Sequence, residues 1–358
     1  MPKPTVAIYP YDIDLCSIVR HEFLLPYRVE AAIAPIGFGF DGQDAGTIDG
    51  GQKVGLSVSG SFIDELDRVD TVLFDYSIED IFEKILLAIR QKKNIRLLRQ
   101  ISNGLEGEII KNCELFGVSY KNFTNQQNQE KLHHTGINDA LYDIETPLIL
   151  VCGLSDTTLK FETQIALSEA LQRKGYKVSL VGSRLYSSLF GGQNFPVYMF
   201  EKHAEYEKIL HFNGLLKQIE ISEKPDVFVV GIPGGIIPFD KVFNNEYGWL
   251  AYLISNAINP DITVLSMPYN EYSQDFVDNM YSFCKYRYGF ESLFFVLSNI
   301  FQDITDKDLR EKKYIRVNSD VLCSTIGRCS FRAFDILTPG GVDDLTESII
   351  TELASNVS

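Results

Sequence analysis

Basic side chains are scarce in this chain: 33 Lys and Arg stand against 48 Asp and Glu, a formal charge of -15 over 358 residues. Nucleic-acid binding needs clustered Lys and Arg to replace the counterions of the phosphates, so the composition argues against that class. It argues equally against docking on an anionic membrane. Solubility is the ordinary consequence of such a charge. Long apolar runs are lacking too. A spanning helix needs about 18 apolar residues or more, and the longest run, around Val227 to Phe239, is broken by Gly and Pro. The opening residues MPKPTVAIYPYDID lack a charged segment followed by an apolar core, so no secretory signal is expected and a cytoplasmic location is the default.

Paired cysteines are missing as well. The six are Cys16, Cys113, Cys152, Cys284, Cys323 and Cys329; none forms a CxxC, and only the last two lie close, in CSTIGRC. The five His are scattered, with His133 and His134 in a polar stretch. A structural metal site wants tighter spacing, so reduced and mostly buried thiols are expected, with no metal.

What is present is an alternation of short apolar strands with helical stripes. Strands are expected at 6–9, 28–36, 69–74 and 94–98. Helices are expected from Asp14 to about Phe23, behind a cap at Ser77 to Asp80 with Ile81, Ile85, Ala88 and Ile89 at helical spacing, and from Gly104 to Leu115. A Gly- and Asp-rich loop fills 37–51. Residues 122–143 are polar, Asn/Gln-rich and without period, which makes them the linker candidate and places a boundary near 145. The second half repeats the pattern, with strands at 148–151, 178–181, 227–230 and 262–265 and helices at 160–174 and 249–257. Further strands are expected at 293–297 and 314–317, then strand, turn and helix from Asp335. The expected fold is therefore α/β with two domains: a Rossmann-like domain over 1–145 and a doubly wound, P-loop-like domain over 146–358.

Open α/β sheets bind ligands outside the carboxyl ends of their strands. Three Gly-bearing loops follow strands in the second half, and they are expected to share one rim. The first is CGLSDTTLKFETQ, residues 152–164. Phosphate loops point successive backbone N–H groups at an anion, use a Lys for the terminal phosphates, and hold Mg²⁺ with a Ser or Thr. Gly153, Ser155, Asp156, Thr157, Thr158 and Lys160 are the candidates in this loop. Leu159, however, replaces the Gly expected before the Lys, and Phe161 replaces the hydroxyl residue after it. The second loop contributes Gly182, Ser183 and Arg184, and the third Gly231, Gly234 and Gly235. The strand leading to Gly231 has its acid, Asp226, at the wrong end to reach the rim. Lys160 is read either as part of an atypical or competent anion site or as a surface residue opening an ordinary helix. Arg184 either holds a phosphate or carboxylate or pairs with a nearby acid.

The spacing to Lys160 resembles the longer loop of dethiobiotin-synthetase-like ATPases. Over residues 146–270 the chain resembles peptide maturation system proteins found with clostridial ribosomally synthesised peptides and their radical-SAM enzymes. The likeness rests on Gly153, Ser155, Lys160, Phe161 and Gln164, then Gly175-Tyr176, Gly182-Ser183, Leu189-Phe190-Gly191 and Phe195-Pro196. It departs at Leu159, at Glu162 where the pattern has Thr, and in the missing acid of the third loop. The two-domain plan is also similar to an uncharacterised family joining a Rossmann-like domain to a P-loop domain. The resemblance implies a role in peptide modification, with a precursor peptide or a radical-SAM enzyme as partner. Two functions stay open: an accessory binding protein on a degenerate P-loop scaffold, or a nucleotide-dependent enzyme. No cofactor is assigned beyond ATP or GTP with Mg in the second case, no catalytic residue is named, and a homodimer is left open.

Other constellations have structural readings beside functional ones. Asp12 and Asp14 follow the first strand, where they cap a helix or face a ligand. Asp41, Asp44 and Asp49 fit no Ca²⁺-loop register. Asn270, Glu271, Tyr272 and the aromatic-rich segment 281–288 form either a packed helix face or a peptide-docking surface.

Overall fold

A computed structural model of the chain describes residues 2–75, 78–124, 140–238, 245–303 and 313–356. The expected cap at Ser77, the His133–His134 pair and most of the polar linker lie outside these residues. The chain divides into two units, residues 1–125 with 185–191, and residues 126–184 with 192–358. The segment 185–191, which the sequence reading kept in the second domain, thus groups with the first.

The first unit runs β1 (Thr5–Tyr9), α1 (Cys16–Arg20), β2 (Arg28–Ile33), β3 (Val58–Ser59), α2 (Phe62–Leu66), β4 (Thr71–Phe74), α3 (Ile78–Arg90), β5 (Asn94–Leu97), α4 (Asn103–Phe116) and β6 (Tyr120–Asn122). Its sheet has the order β3-β2-β1-β4-β5-β6, and every pairing is parallel. Parallel strands are covered on both faces, which is why β4 is buried along its whole length. The alternation of short apolar strand and amphipathic helix produces this order. One face packs Ala7, Ile33, Val72 and Ile95 against Ile81, Ile85 and Ile89 of α3. The helix expected from Asp14 to Phe23 is broken into short pieces, with α1 flanked by 3₁₀ turns at Ile13–Leu15 and Glu22–Leu24.

The second unit runs β7 (Leu148–Gly153), α5 (Lys160–Arg173), β8 (Val178–Val181), α6 (Glu205–Glu223), β9 (Val227–Gly231), α7 (Trp249–Ala257), β10 (Ile262–Met267), α8 (Gln274–Tyr288), β11 (Leu293–Leu297), β12 (Ile300–Asp303), β13 (Lys313–Arg316), α9 (Ser319–Ile326), β14 (Ala333–Phe334) and α10 (Pro339–Asn356). Its sheet has the order β14-β11-β10-β7-β9-β8 and is parallel throughout. The chain therefore carries two parallel-sheet α/β domains. The strand expected at 314–317 forms, but as β13, antiparallel to β12 in a separate hairpin. The final strand ends before Asp335, whose carboxylate instead accepts from the Leu337 amide in the turn before α10.

The burial of α5 differs from that of the ordinary helix that a surface Lys160 would open. Every residue from Lys160 to Leu171 is buried, including Glu162 and Glu169. A helix buried all round sits between other elements rather than at the surface, so Lys160 opens an interior helix. The helix ends where expected, with Gly175 at φ +94°, a conformation a Cβ would penalise. Among the described residues no helix is long and apolar enough to cross a membrane.

Candidate functional site

In the second sheet the strand order reverses between β7 and β10. A crevice therefore lies outside their carboxyl ends, where Gly153 pairs with Ser266. Gly153 has no room for a side chain: a Cβ there would lie 2.6 Å from the Ser155 carbonyl and from Thr158 Oγ1, and 3.2 Å from Lys160 Cδ. The Lys160 side chain thus folds back over Gly153, and its ammonium donates to the Asp156 carbonyl. Lys160 is buried, and burial pulls its pKa down to about 8, with the Arg184 guanidinium acting in the same direction and Asp156 opposing. The ammonium is closed onto its own loop. Any anion arriving here competes with one carbonyl oxygen for it.

Hydroxyl groups surround this point. Ser155 is buried and its Oγ accepts from the Gln302 amide of β12. Thr158 Oγ1 and Ser266 Oγ are buried with no hydrogen-bond partner among the described residues. An unsatisfied buried hydroxyl costs about 1–3 kcal/mol, so Thr158, next to the Lys160 side chain over Gly153, leaves a donor for an anion's oxygens, and Ser266 leaves another on the strand that pairs with Gly153. Asp156 is exposed and Thr157 half-buried on the outer side of the loop.

Gln164 ties the other loops to this one. Its side chain is wholly buried; Oε1 accepts from the Ser183 amide at 2.9 Å, and Nε2 donates to Ser183 Oγ at 3.0 Å. A Cβ on Gly231 would fall 2.1 Å from Gln164 Oε1, so a side chain there would push this amide away from Ser183. Gly235 presses on the first loop, where a Cβ would stand 2.8 Å from Ser155 Cα. Gly182 donates to the Gln193 carbonyl at 3.0 Å, and Gly234 takes a φ of +76°. The Arg184 guanidinium lies 5.3 Å from the centre of the Phe161 ring. The three loops thus meet around Ser155, Gln164 and Lys160.

The residues do not fit a Mg²⁺ site of the phosphate-loop kind. Phe161, at the metal-ligand position, is buried beneath Arg184, and Leu159 is buried as well. Among the described residues no group of three or more His, Cys, Asp or Glu is placed to hold a metal ion.

Outside this rim the weighed residues take structural roles. Asp12 accepts from the Asp14 amide at 2.9 Å and caps a 3₁₀ turn. Asp44 accepts from the amides of Gly46, Val54 and Gly55, and Asp49 pairs with Arg20 at 2.6 Å. Glu271 meets Arg328 at 2.8 Å, and Tyr272 packs on Phe276. All six cysteines are free thiols. Gln302, Ser266 and the Asp75–Arg99 pair stand in no motif that the sequence displays. Ser266 was the most legible, a hydroxyl inside the apolar run ITVLSM.

No family model matches the sequence, and no curated protein matches it. Among solved structures, the chain resembles a DUF1611 family protein from Anabaena variabilis over 97% of its own length and 99% of that chain, at 11% identity and a TM-score of 0.61. That likeness shows the fold. An amine dehydrogenase from Mycobacterium smegmatis aligns over 40% of this chain and 46% of its own, at 18% identity and a TM-score of 0.30. A nucleotide-binding protein from Archaeoglobus fulgidus in complex with ADP aligns over 57% and 87%, at 12% identity and a TM-score of 0.28. At such scores these two bear on no ligand of this chain.

Proposed function

We propose that the protein is an accessory binding protein of ribosomal-peptide maturation, whose second domain keeps a phosphate-loop scaffold as an anion-responsive element and does not hydrolyse nucleotides. The resemblance over 146–270 supports the peptide context, with a precursor peptide or its modifying enzyme as the partner. One observation carries the reading of the loop: Lys160 is buried with its ammonium on the Asp156 carbonyl, while Leu159 and Phe161 are built into the interior. A loop that supplies its own acceptor to its own Lys binds an anion by exchange. Without a Mg²⁺ ligand after the Lys, it lacks the group that neutralises charge developing on a transferred phosphoryl.

The second reading, a nucleotide-dependent enzyme, is favoured by the Thr158 hydroxyl near the Lys160 side chain and the Ser266 hydroxyl on the strand paired with Gly153, neither with a hydrogen-bond partner among the described residues. Calorimetric titration of the full chain with inorganic phosphate, ATP and GTP, each with and without Mg²⁺, together with a phosphate-release assay, separates the two. Anion binding that ignores Mg²⁺, disappears in Lys160→Ala and proceeds without turnover supports the proposal. Mg²⁺-dependent binding with turnover overturns it in favour of the enzyme. Failure to retain either the precursor peptide or the radical-SAM enzyme in a pull-down removes the peptide context.

A further inference from the structure

A second feature of this domain lies at the other end of the strands. A cavity of about 1100 Å³ opens at the amino ends of β10 and β11. It exists because β14 is only two residues long and pairs with β11 only at Phe295 and Val296. Leu293 and Phe294, which begin β11, therefore have no strand beside them on that margin among the described residues. The chain entering β14 diverges and forms the facing wall.

The walls are aromatic: Tyr281, Phe294, Phe295, Phe331 and Phe334 all line the space. Tyr281 and Phe331 each stand edge-to-face against Phe295, at 5.3 and 5.5 Å between ring centres. Tyr281 is held in place by donating to the Leu293 carbonyl at 3.1 Å. The rim adds three carboxylates, Asp261, Glu291 and Glu352. Asp261 accepts from the Leu148 amide at 2.8 Å, Glu291 lies 3.3 Å from the exposed Lys285, and Glu352 accepts from Ser292 Oγ at a long 3.4 Å. One cation of the chain itself shows what the rings accept, since the Arg332 guanidinium sits 4.9 Å from the centre of Phe334.

Ring faces attract cations through their quadrupole, and carboxylates at the mouth add charge of the matching sign. The three carboxylates outnumber Arg332, the one Arg or Lys among the described lining residues, so the rim disfavours phosphates and carboxylates, and a purely apolar ligand gains nothing from it. A second copy of a chain of charge -15 is disfavoured at an acidic mouth. We propose that this cavity docks an Arg or Lys side chain carried by an extended peptide segment of a partner protein. The cation enters between the aromatic walls toward Glu352, while the peptide backbone runs along the margin of β11 that no strand covers among the described residues, where the Leu293 carbonyl is already held by Tyr281. The inference does not rest on the reading of the Lys160 loop, which lies at the opposite ends of the strands.

The test uses the full chain and a fluorescein-labelled heptapeptide alternating Val and Arg, compared with the same peptide carrying citrulline in place of Arg. Citrulline keeps the shape and removes the charge. Polarisation at low salt should show saturable binding of the Arg peptide and about tenfold weaker binding of the citrulline peptide. Glu352→Gln should weaken the Arg peptide severalfold. Glu347→Gln removes the same charge five residues earlier on α10, where Glu347 pairs with Lys174, and should leave binding unchanged. Phe334→Ala probes the ring, with Glu352→Gln as the safer variant if that protein fails to fold. Absence of binding, equal affinity for the two peptides, or equal losses in the two Glu variants overturns the inference; the last outcome would mean diffuse attraction to an acidic chain.

Discussion

The two sheets are built alike and end differently. Each has six parallel strands, and each reverses its strand order once, between β1 and β4 in the first and between β7 and β10 in the second. At the first reversal β1 runs on through Pro10 and Tyr11 into Asp12, and Asp75 directly follows β4. Asp75 is buried and paired with Arg99 at 2.6 Å, and burial, reinforced by Asp14 and Asp75, raises the Asp12 carboxyl to about 6. At the second reversal stand Gly153, Lys160 and two unpartnered hydroxyls. One crevice is acidic and lacks the glycines that let a backbone approach phosphate, while the other is basic and glycine-lined. The topology makes a crevice in both. The residues at the strand ends decide its sign.

The strongest way to break this contrast is to attack the interior side of the basic rim. Phe161→Ala should destabilise the second domain by about 3 kcal/mol or more, because it empties a buried ring site beneath Arg184. Urea denaturation followed by hydrogen exchange in β7 measures it; a loss near zero would make Phe161 a loop substitution rather than a core residue. Gly231→Ala comes next, at about 1–3 kcal/mol, since its Cβ overlaps the Gln164 amide. Gln164→Ala should relieve much of that loss in the double variant, and simple additivity of the two changes would refute the contact.

Asp12 sharpens the acidic side. Its folded pKa of about 6 exceeds the ordinary 3.8, so the folded state holds a proton that the unfolded chain releases earlier. The resulting stability is fully present below 3.8 and is lost as pH rises through about 6. Asp12→Asn keeps a capping oxygen and should flatten that dependence in thermal melts between those pH values; an unchanged slope would place its origin elsewhere. Arg99→Ala should cost about 1 kcal/mol, because the 55% exposed guanidinium is screened while its loss takes one partner from the buried Asp75 carboxylate.

Periodicity carried most of the fold. The bounds of α7 were readable to the residue because Trp249 to Ala257 is an apolar block closed by Gly248 and Asn259-Pro260. Helix α6 went unassigned although Phe212, Leu215, Leu216 and Ile219 recur at helical spacing; its hydrophobic and charged residues are mixed on several sides. The hairpin of β12 and β13 was half legible, since the sheet a strand joins depends on distant chain. The same limit governed the site. Lys160 and the glycines were visible as local motifs, whereas Gln302 reaches Ser155 across 147 residues, and nothing near either residue announces it. Leu159 and Phe161 read as losses from a motif. Their burial makes them parts of the interior, so reverting them would open cavities as well as restore a pattern.

The buried ammonium itself is the most direct test. In the full chain labelled with ¹³C at lysine Cε, with Lys160→Arg supplying the assignment, the Lys160 signal should titrate near 8 and shift upward when inorganic phosphate is added, since an anion favours the charged form. A midpoint at the ordinary 10.5 that phosphate does not move would contradict the account, leaving Lys160 a solvated residue and the loop without a ligand.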